Sequence, residues 1–446
     1  MNILIVGAGE VGFHLAKRLS AEKHNVTVLE KDPEKAQYAE EHLDALVIVG
    51  SGSSVEDLNK AKIGQADVFA CLTNSDEVNL LSCRFAQKLN VPHKIARIRN
   101  PEYTRLEFIL SPFEMGVDLL IHPERETAKA IVRLIHQSSA TCVVEFEGGK
   151  IQLLGIRLER NSPILGKPLG ELWQEYGDVE ARIVAIKRKE HTLIPGGNET
   201  LAAGDQIFII CEKKMIPTIV HFTGKEDVSI QNIMILGGGL VGQFVAESLE
   251  DTINIKVIES RSDKSEKIAN ALKKTLVIHG DGTDVDLLAT EGILDMDAFI
   301  ATTGDDETNI ICTLIARHLK VPRTIALVNK TEYLPITPTI GLDAVVSKKL
   351  ITVNSILRFI RKSTLENVDS IPGLDAEIIE IIPQKGSRIT KQPLKNIHVR
   401  PSAIFGSVTR NNKVIIPTGE TQIETGDRVV IFALPKAIAV VEKLFK

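Results

Sequence analysis

Two rhythms of apolar residues run along this chain. Short unbroken runs such as Ile3-Leu4-Ile5-Val6 alternate with longer stretches in which apolar positions recur every three or four residues. A run that is apolar at every position is buried on both faces, as a parallel strand is, and the slower rhythm is that of a helix laid along a sheet. Over the first 122 residues the pattern predicts strands at 2–7, 25–30, 45–49, 67–72, 94–98 and 118–121. Helices are predicted between them at 10–22, 33–43, 54–61, 76–90 and 101–110. Strand and helix in strict alternation, joined by right-handed crossovers, make an α/β fold with a Rossmann-type doubly wound parallel sheet.

The same pattern is written twice. NILIVGAGEVG (2–12) returns as NIMILGGGLVG (232–242), LVIVGSGSSVEDL (46–58) as LVIHGDGTDVDLL (276–288), and TNSDEVNLLSCRFAQKLNVP (73–92) as TGDDETNIICTLIARHLKVP (303–322). Each copy is followed by one more amphipathic helix, at 125–137 and 351–362. On the first, Ala128, Ile131, Val132 and Ile135 form a stripe that must be buried. Its own sheet, the neighbouring repeat and a second copy of the chain are all open as the receiving surface. Beyond each helix come short alternating strands broken by Gly-Asn and Ala-Gly-Asp turns, which predicts a small α+β domain at 142–223 that recurs near 376–446. The chain is therefore divided into a Rossmann domain (1–122), a linking helix (123–139), a small domain (140–224), a second Rossmann domain (230–347), a second linking helix (348–365) and a second small domain (366–446).

Composition narrows the function classes. With 446 residues, 43% of them apolar, there is material for several cores, and a net charge of −5 with both signs interspersed speaks against a nucleic-acid footprint. No apolar run is long enough to span a bilayer, and Met1 leads straight into a strand without a secretory leader, so the expected location is the cytoplasm. Cys71, Cys83, Cys142, Cys211 and Cys312 show no paired spacing and read as small core residues.

The candidate chemistry lies in the repeated glycine turns. Gly7 turns the chain after the strand, Gly9 lets backbone N–H groups approach a pyrophosphate, and Gly12 brings the helix close to the strand. The helix N-terminus then faces the anion. Glu30, at the end of the second strand, suits the adenosine ribose hydroxyls and repels a 2′-phosphate, which favours NAD(H) or an adenine nucleotide over NADP(H). Gly237, Gly239, Gly242 and Glu259 restate the set, with Arg261 nearby read as a surface residue. Arg97 closes the fifth strand where a guanidinium reaches phosphates, and its counterpart is Leu327. No acid–base set accompanies the glycine motifs, since His191, His221 and His398 fall in turns or near termini, and no metal-ligand spacing occurs. Asp305, Asp306 and Glu307 read as helix N-terminal caps. A non-enzymatic binding device is favoured, with an NAD-dependent oxidoreductase and an empty scaffold as the rivals.

In the order of these motifs the chain resembles the KTN/RCK nucleotide-sensing family. The resemblance rests on GAGEVG, VLEKD, VGSGS, TNSDE and ARIRNPEY in the first half. GGGLVG, VIESR, HGDGTD, TGDDETN and the SxIxxxPL, IIPTGE and GDRVVIF stretches carry it through the second. It implies a peripheral protein at the inner face of the cell membrane, partnered with a membrane-embedded Trk-type potassium transporter subunit. It also implies a homo-oligomer, a dimer or tetramer gating ring, whose shape responds to nucleotide. The binding positions it implies in the first half are Gly7, Ala8, Gly9, Glu10 and Val11 with Gly12 in the phosphate loop, Glu30 at the ribose, Ser51 and Gly52 near the adenine, Thr73 and Asn74 in the cleft, and Arg97 at the phosphates. The second-half set is Gly237, Gly238, Gly239, Leu240, Val241, Gly242, Glu259, Asp281, Gly282, Thr303 and Gly304. Three places depart from the family pattern: Ser51 stands where Asp281 keeps the acid, Leu327 replaces the arginine, and Glu10 and Leu240 stand where ATP-sensing relatives carry arginine. A carboxylate at position 10 disfavours a γ-phosphate. The cofactor expected at the first site is therefore NAD+/NADH, with ADP or ATP left open at the second.

Overall fold

A strand apolar at every position needs cover on both faces, and the computed structural model supplies it by winding helices to either side of two parallel sheets. It describes residues 1–104, 114–175, 180–189, 191–226, 229–361, 367–370, 374, 376–399 and 401–446. The first repeat comprises strands β1 (Asn2–Val6), β2 (Asn25–Glu30), β3 (Leu46–Val49), β4 (Val68–Cys71), β5 (His93–Arg97) and β6 (Leu119–Ile121), with helices α1 (Glu10–Ala21), α2 (Pro33–His42), α3 (Val55–Lys60) and α4 (Asp76–Lys88), then α5 (Pro123–His136). The first small domain holds β7 (Cys142–Phe146), β8 (Ile151–Arg157), α6 (Leu169–Glu175), β9 (Ala181–Arg188), β10 (His191–Leu193), β11 (Gln206–Glu212) and α7 (Ile216–Phe222).

The second repeat follows with β12 (Asn232–Leu236), α8 (Leu240–Leu249), β13 (Asn254–Glu259), α9 (Ser262–Ala271), β14 (Leu276–His279), α10 (Val285–Thr290), β15 (Ala298–Ala301), α11 (Asp306–His318), β16 (Arg323–Leu327), α12 (Thr337–Ile340), β17 (Ala344–Val346) and α13 (Lys348–Arg361). The second small domain closes the chain with β18 (Asn367–Ser370), β19 (Glu377–Ile381), β20 (Ala403–Arg410), β21 (Lys413–Ile415), β22 (Arg428–Ala433) and α14 (Ile438–Phe445).

Both large sheets are parallel, in the orders β3-β2-β1-β4-β5-β6 and β14-β13-β12-β15-β16-β17. In each, strand order reverses at the sheet centre, and the crevice beyond the carboxyl ends of β1 and β4, or β12 and β15, is where such folds receive ligands. The small domains carry antiparallel sheets ordered β10-β9-β11-β8-β7 and β18-β19-β22-β20-β21. The predicted elements are recovered with shifted ends. Helix α1 stops at Ala21 and α4 at Lys88 because Lys23 and Asn90 take left-handed backbone, at φ 66° and 56°, that no helix continues through. Of the helix predicted over 101–110, Pro101–Thr104 form a single 3-10 turn, and 105–110 lie outside the described residues.

Packing divides the chain into two compact units, one of residues 1–126 with 348–362 and one of 127–347 with 363–446. The first unit answers where the linking helices bury their stripes. Val353, Ile356, Leu357 and Ile360 of α13 join a single apolar cluster with Ile3, Ile5, Leu15, Leu19 and Val28 of the first repeat. The stripe of the second repeat's helix is thus received by the neighbouring repeat, which was one of the three open surfaces. Burying four such side chains contributes roughly 6–12 kcal/mol before the cost of ordering them. Lys349 Nζ lies 3.1 Å from His14 Nε2, pinning the start of α13 to α1. In the second unit, the α5 stripe is realised at Ala128, Ile131, Leu134 and Ile135, with Val132 half-buried. There Arg323 on β16 of the second repeat donates to the carbonyls of Leu134 and Ala140.

Also in the second unit, the two small sheets share an apolar cluster: Phe146, Leu153, Phe208 and Ile210 of one pack with Ile378, Ile404, Val430 and Phe432 of the other. Each small domain repeats one polar clasp. Arg188 donates from Nε and Nη2 to Asp205 at 2.9 and 2.8 Å, and Arg410 does the same to Asp427 at 2.8 and 2.8 Å. Two-pronged contacts of this kind to a buried acid, only 1–2% exposed, hold the turn before β11 or β22 against β9 or β20. Among the described residues no helix is long and apolar enough to cross a membrane.

Candidate functional site

The first crevice is assembled by strand register. Val6 pairs with Leu29 and Cys71, and Cys71 with Ala96, so the loops that leave β1, β2, β4 and β5 emerge at one edge of the sheet. Gly7 lies at φ +101°, where L side chains are strained, and a Cβ on Gly12 would sit 1.9 Å from the Gly7 carbonyl oxygen. These two glycines are compelled by backbone geometry. Gly9 is different, since a Cβ there would meet nothing within 4 Å, and the helix behind it has no side-chain cap. The first turn of α1 therefore points unoccupied N–H donors across open space, which fits a pyrophosphate. The second loop repeats this at Gly237 (φ +99°), Gly242 and Gly239.

Ala8 and Gly238 show how the copies were adjusted. A Cβ on Gly238 would lie 2.3 Å from Ile268 Cδ1, whereas in the first copy the alanine at position 8 is matched by the smaller Ala39 on α2. Volume removed in one place is restored in the other.

Glu30 and Glu259 are buried, at 7% and 6% exposure, at the ends of β2 and β13. The sequence reading placed them at the ribose, and the structure gives them a further task. Glu30 accepts the N–H of Ala8 at 2.5 Å and that of Asp32 at 3.0 Å; Glu259 accepts those of Gly238 and Arg261, both at 3.0 Å. Each carboxylate ties the glycine loop to the neighbouring strand, with lone pairs left to accept from a sugar hydroxyl. Arg261 turns outward to Asp263 at 2.7 Å, consistent with its reading as a surface residue.

Ser51 donates its N–H to Asp57 at 3.0 Å, and that bond holds the Asp57 carboxyl below its ordinary range. Asp281, the matching residue, accepts from the N–H and hydroxyl of Thr283, which lower it likewise. Gly52 and Gly282 are required by close approach, since a Cβ would come within 2.6 Å of Val6 and 1.9 Å of Leu236. Thr73 and Thr303 are held by Asn79 and Asn309. Each asparagine accepts from the threonine N–H and hydroxyl and donates to the threonine carbonyl and to the last carbonyl of the fifth strand, at Arg97 or Leu327.

These asparagines were missed in the sequence, as was Asp76, and Asp306 was read only as a helix cap. Asp76 accepts from the N–H groups of Arg99 and Asn100, and Asp306 from those of Asn329 and Lys330. The signal was present, because the repeated stretches TNSDEVN and TGDDETN keep both the Asp and the Asn. It corrects the reading of the acidic cluster: Asp305 caps α11 by accepting from the Thr308 N–H, while Asp306 braces the loop after β16 and Glu307 pairs with Lys330 and Tyr333.

The copies part at the groups that face the opening. Arg97 donates to the Asn74 side chain at 3.0 Å, and burial lowers the guanidinium pKa against the opposing pull of Glu124. In the second crevice the matching positions are Leu327, 3% exposed, and Gly304, where an added Cβ would meet nothing within 4 Å. Glu10 lies exposed in the first turn of α1, and Leu240 half-exposed in that of α8.

Elsewhere, His191, His221 and His398 are exposed, and the described residues hold no group of three or more potential metal ligands. Four cysteines are buried and Cys142 is half-buried; burial pushes the Cys71 thiol up to about 12, so it is inert at neutral pH.

Fold and crevices define a tandem Rossmann-type protein in which each large domain is followed by a small antiparallel one. Comparison with known proteins gives the same division. The TrkA-N domain matches residues 3–123 and 233–348, and the TrkA-C domain matches 153–224 and 378–446. The chain is 34% identical to the Trk system potassium uptake protein TrkA of Azorhizobium caulinodans, over 100% of this chain and 99% of the relative. It is also 34% identical to the TrkA homolog 2 of Methanosarcina mazei, over the full length of both. Among solved structures it resembles the GsuK RCK domain, at 20% identity and a TM-score of 0.63, covering 100% of this chain and 94% of that one. The GsuK channel bound to NAD matches with the same identity and TM-score, covering 100% and 78%. The chain belongs to the TrkA family of Trk system potassium uptake proteins.

Proposed function

We propose that this chain is a nucleotide-sensing regulatory subunit of a potassium uptake system, converting NAD(H) or adenine-nucleotide binding into a change of shape felt by its membrane partner. The reading is supported by full-length relatives that are potassium uptake proteins and by the likeness to a channel bound to NAD and, in another structure, to ADP. The observation that carries it is the first crevice, where an uncapped helix start behind an open glycine meets a buried acid at the end of β2. NAD(H) is the ligand proposed there, with the phosphate loop at Gly7–Gly12, the ribose at Glu30 and the phosphates at Arg97. The second crevice is proposed for ADP or ATP, with Gly237–Gly242, Glu259, Asp281, Gly282, Thr303 and Gly304 as its contacts. A ligand that prefers one arrangement of the domains shifts the population by its difference in affinity, and no bond is made or broken.

The partner proposed is a membrane-embedded Trk-type subunit. The chain would work as a dimer or tetramer ring at the inner face of the membrane, divided as the sequence suggested. Calorimetry of the purified protein with NADH, NAD+, ADP and ATP is the test. Binding of at least one of them well below millimolar concentration is expected; none binding would sink the proposal, and turnover of NADH would replace it with an enzyme.

A further inference from the structure

Glu124, the second residue of α5, has no place in the nucleotide reading so far. It is 3% exposed, and neither of its carboxylate oxygens accepts a hydrogen bond. Three nitrogens surround it just beyond hydrogen-bond length: Arg99 Nε at 3.5 Å, Lys348 Nζ at 3.6 Å and His122 Nδ1 at 3.6 Å. Its field also reaches Arg97, where it is the largest influence opposing burial. A carboxylate out of water and served only by long ion pairs is under-satisfied, and it gains whenever one cation moves closer.

The cations have different allegiances. Arg97 and Arg99 belong to the end of β5 and the loop beyond it, at the mouth of the first crevice, while Lys348 is the first residue of α13. Helix α13 is continuous in sequence with the second repeat and is packed on the first. We infer that Glu124 is a positioning residue which shares Arg97 and Arg99 with an anion bound in the first crevice, and whose grip on Lys348 reports that binding to α13. When phosphates draw the guanidinium groups toward the crevice, the carboxylate is left to Lys348 and the start of α13 tightens. Three residues past β6 stands Glu124, whereas three residues past β17 stands Lys349, so this linkage belongs to the first crevice alone.

The inference rests on nucleotide occupying the first crevice. Lys348 is 27% exposed, so Lys348→Met leaves the fold intact and tests the far side of the linkage. With its α13 partner gone, Glu124 holds the arginines harder, and NADH affinity measured by calorimetry falls about fivefold, the low end of ordinary coupling between sites. Lys348→Arg restores it. In a Glu124→Gln background Lys348→Met has no further effect. Hydrogen exchange of residues 348–361 slows when NADH is added to the unsubstituted protein, and this response is lost in Lys348→Met. NADH affinity indifferent to Lys348, or effects of the two substitutions that simply multiply, overturns the inference while leaving the nucleotide reading in place. An unsubstituted chain that takes up no NADH removes both.

Discussion

The two crevices share a frame and differ at its opening. Glycines that pass backbone close to backbone, the acid that ties the loop, the asparagine under the threonine and the aspartate under the fifth-strand loop are present in both copies with the same partners. Three of the positions that changed lie where the first crevice opens: Glu10 against Leu240, Asn74 against Gly304, and Arg97 against Leu327. Every one of these exchanges a charge or hydrogen-bonding group for an apolar or absent side chain. The comparison teaches that the groups bracing the loops are kept in both copies while side chains at the opening are free to change, which lets one duplicated scaffold present two different mouths.

The largest test strikes the frame. Ile356, fully buried in the cluster beneath the first sheet, is expected to cost about 2–5 kcal/mol on truncation to alanine. Denaturant unfolding followed by hydrogen exchange should show the loss in residues 1–126, although the substitution lies in the second repeat. Loss confined to the second repeat would refute the exchanged packing. Next comes the tether. Glu30→Ala frees the Ala8 N–H and removes the proposed ribose acceptor, and NADH affinity at the first crevice is expected to fall by about 1–3 kcal/mol, with the second crevice unaffected.

A third substitution pair sharpens the comparison itself. Arg97→Leu should weaken NADH at the first crevice about tenfold, and Leu327→Arg with Gly304→Asn should strengthen nucleotide binding at the second by a similar factor, in the range of hydrogen bonds to charged groups. Calorimetry with the opposite crevice disabled at its third loop glycine separates the two. Equal affinities before and after would mean that the divergence is not about phosphate. The smallest effect is one of pH. Lys330 and then Tyr333 hold the Glu307 carboxyl down to about 2 from an ordinary 4.5. A depressed acid favours the fold above its unfolded value, so this contribution is present above pH 4.5 and is lost as pH falls toward about 2. Side-chain carboxyl NMR should find Glu307 titrating below Glu77, whose main partner is the Ser75 hydroxyl.

Much of this was legible in the sequence. Apolar runs and glycine spacing are local properties, and the repeat doubled the evidence for each, so both Rossmann-type sheets, the small domains and the loop glycines could be placed. The exchange of α13 could not be read, because an amphipathic stripe such as Val353, Ile356, Leu357 and Ile360 says that a surface must be covered and nothing about which surface does it. Asp76, Asn79, Asp306 and Asn309 escaped as braces for a related reason. Their partners are backbone groups about 6 to 24 residues away, and backbone carries no letter in the sequence. Glu124 is a third case, since its partners come from three separate stretches of chain.

The seating of α13 bears on how such a chain came to be. A half-length protein with these surfaces would leave the groove over Leu15 and Leu19 bare until a second molecule filled it, and its folding would depend on how much of it a cell produced. Fusing two copies end to end makes that encounter intramolecular, at an effective concentration on the order of millimolar. The donor helix then arrives with its acceptor at synthesis, whatever the expression level.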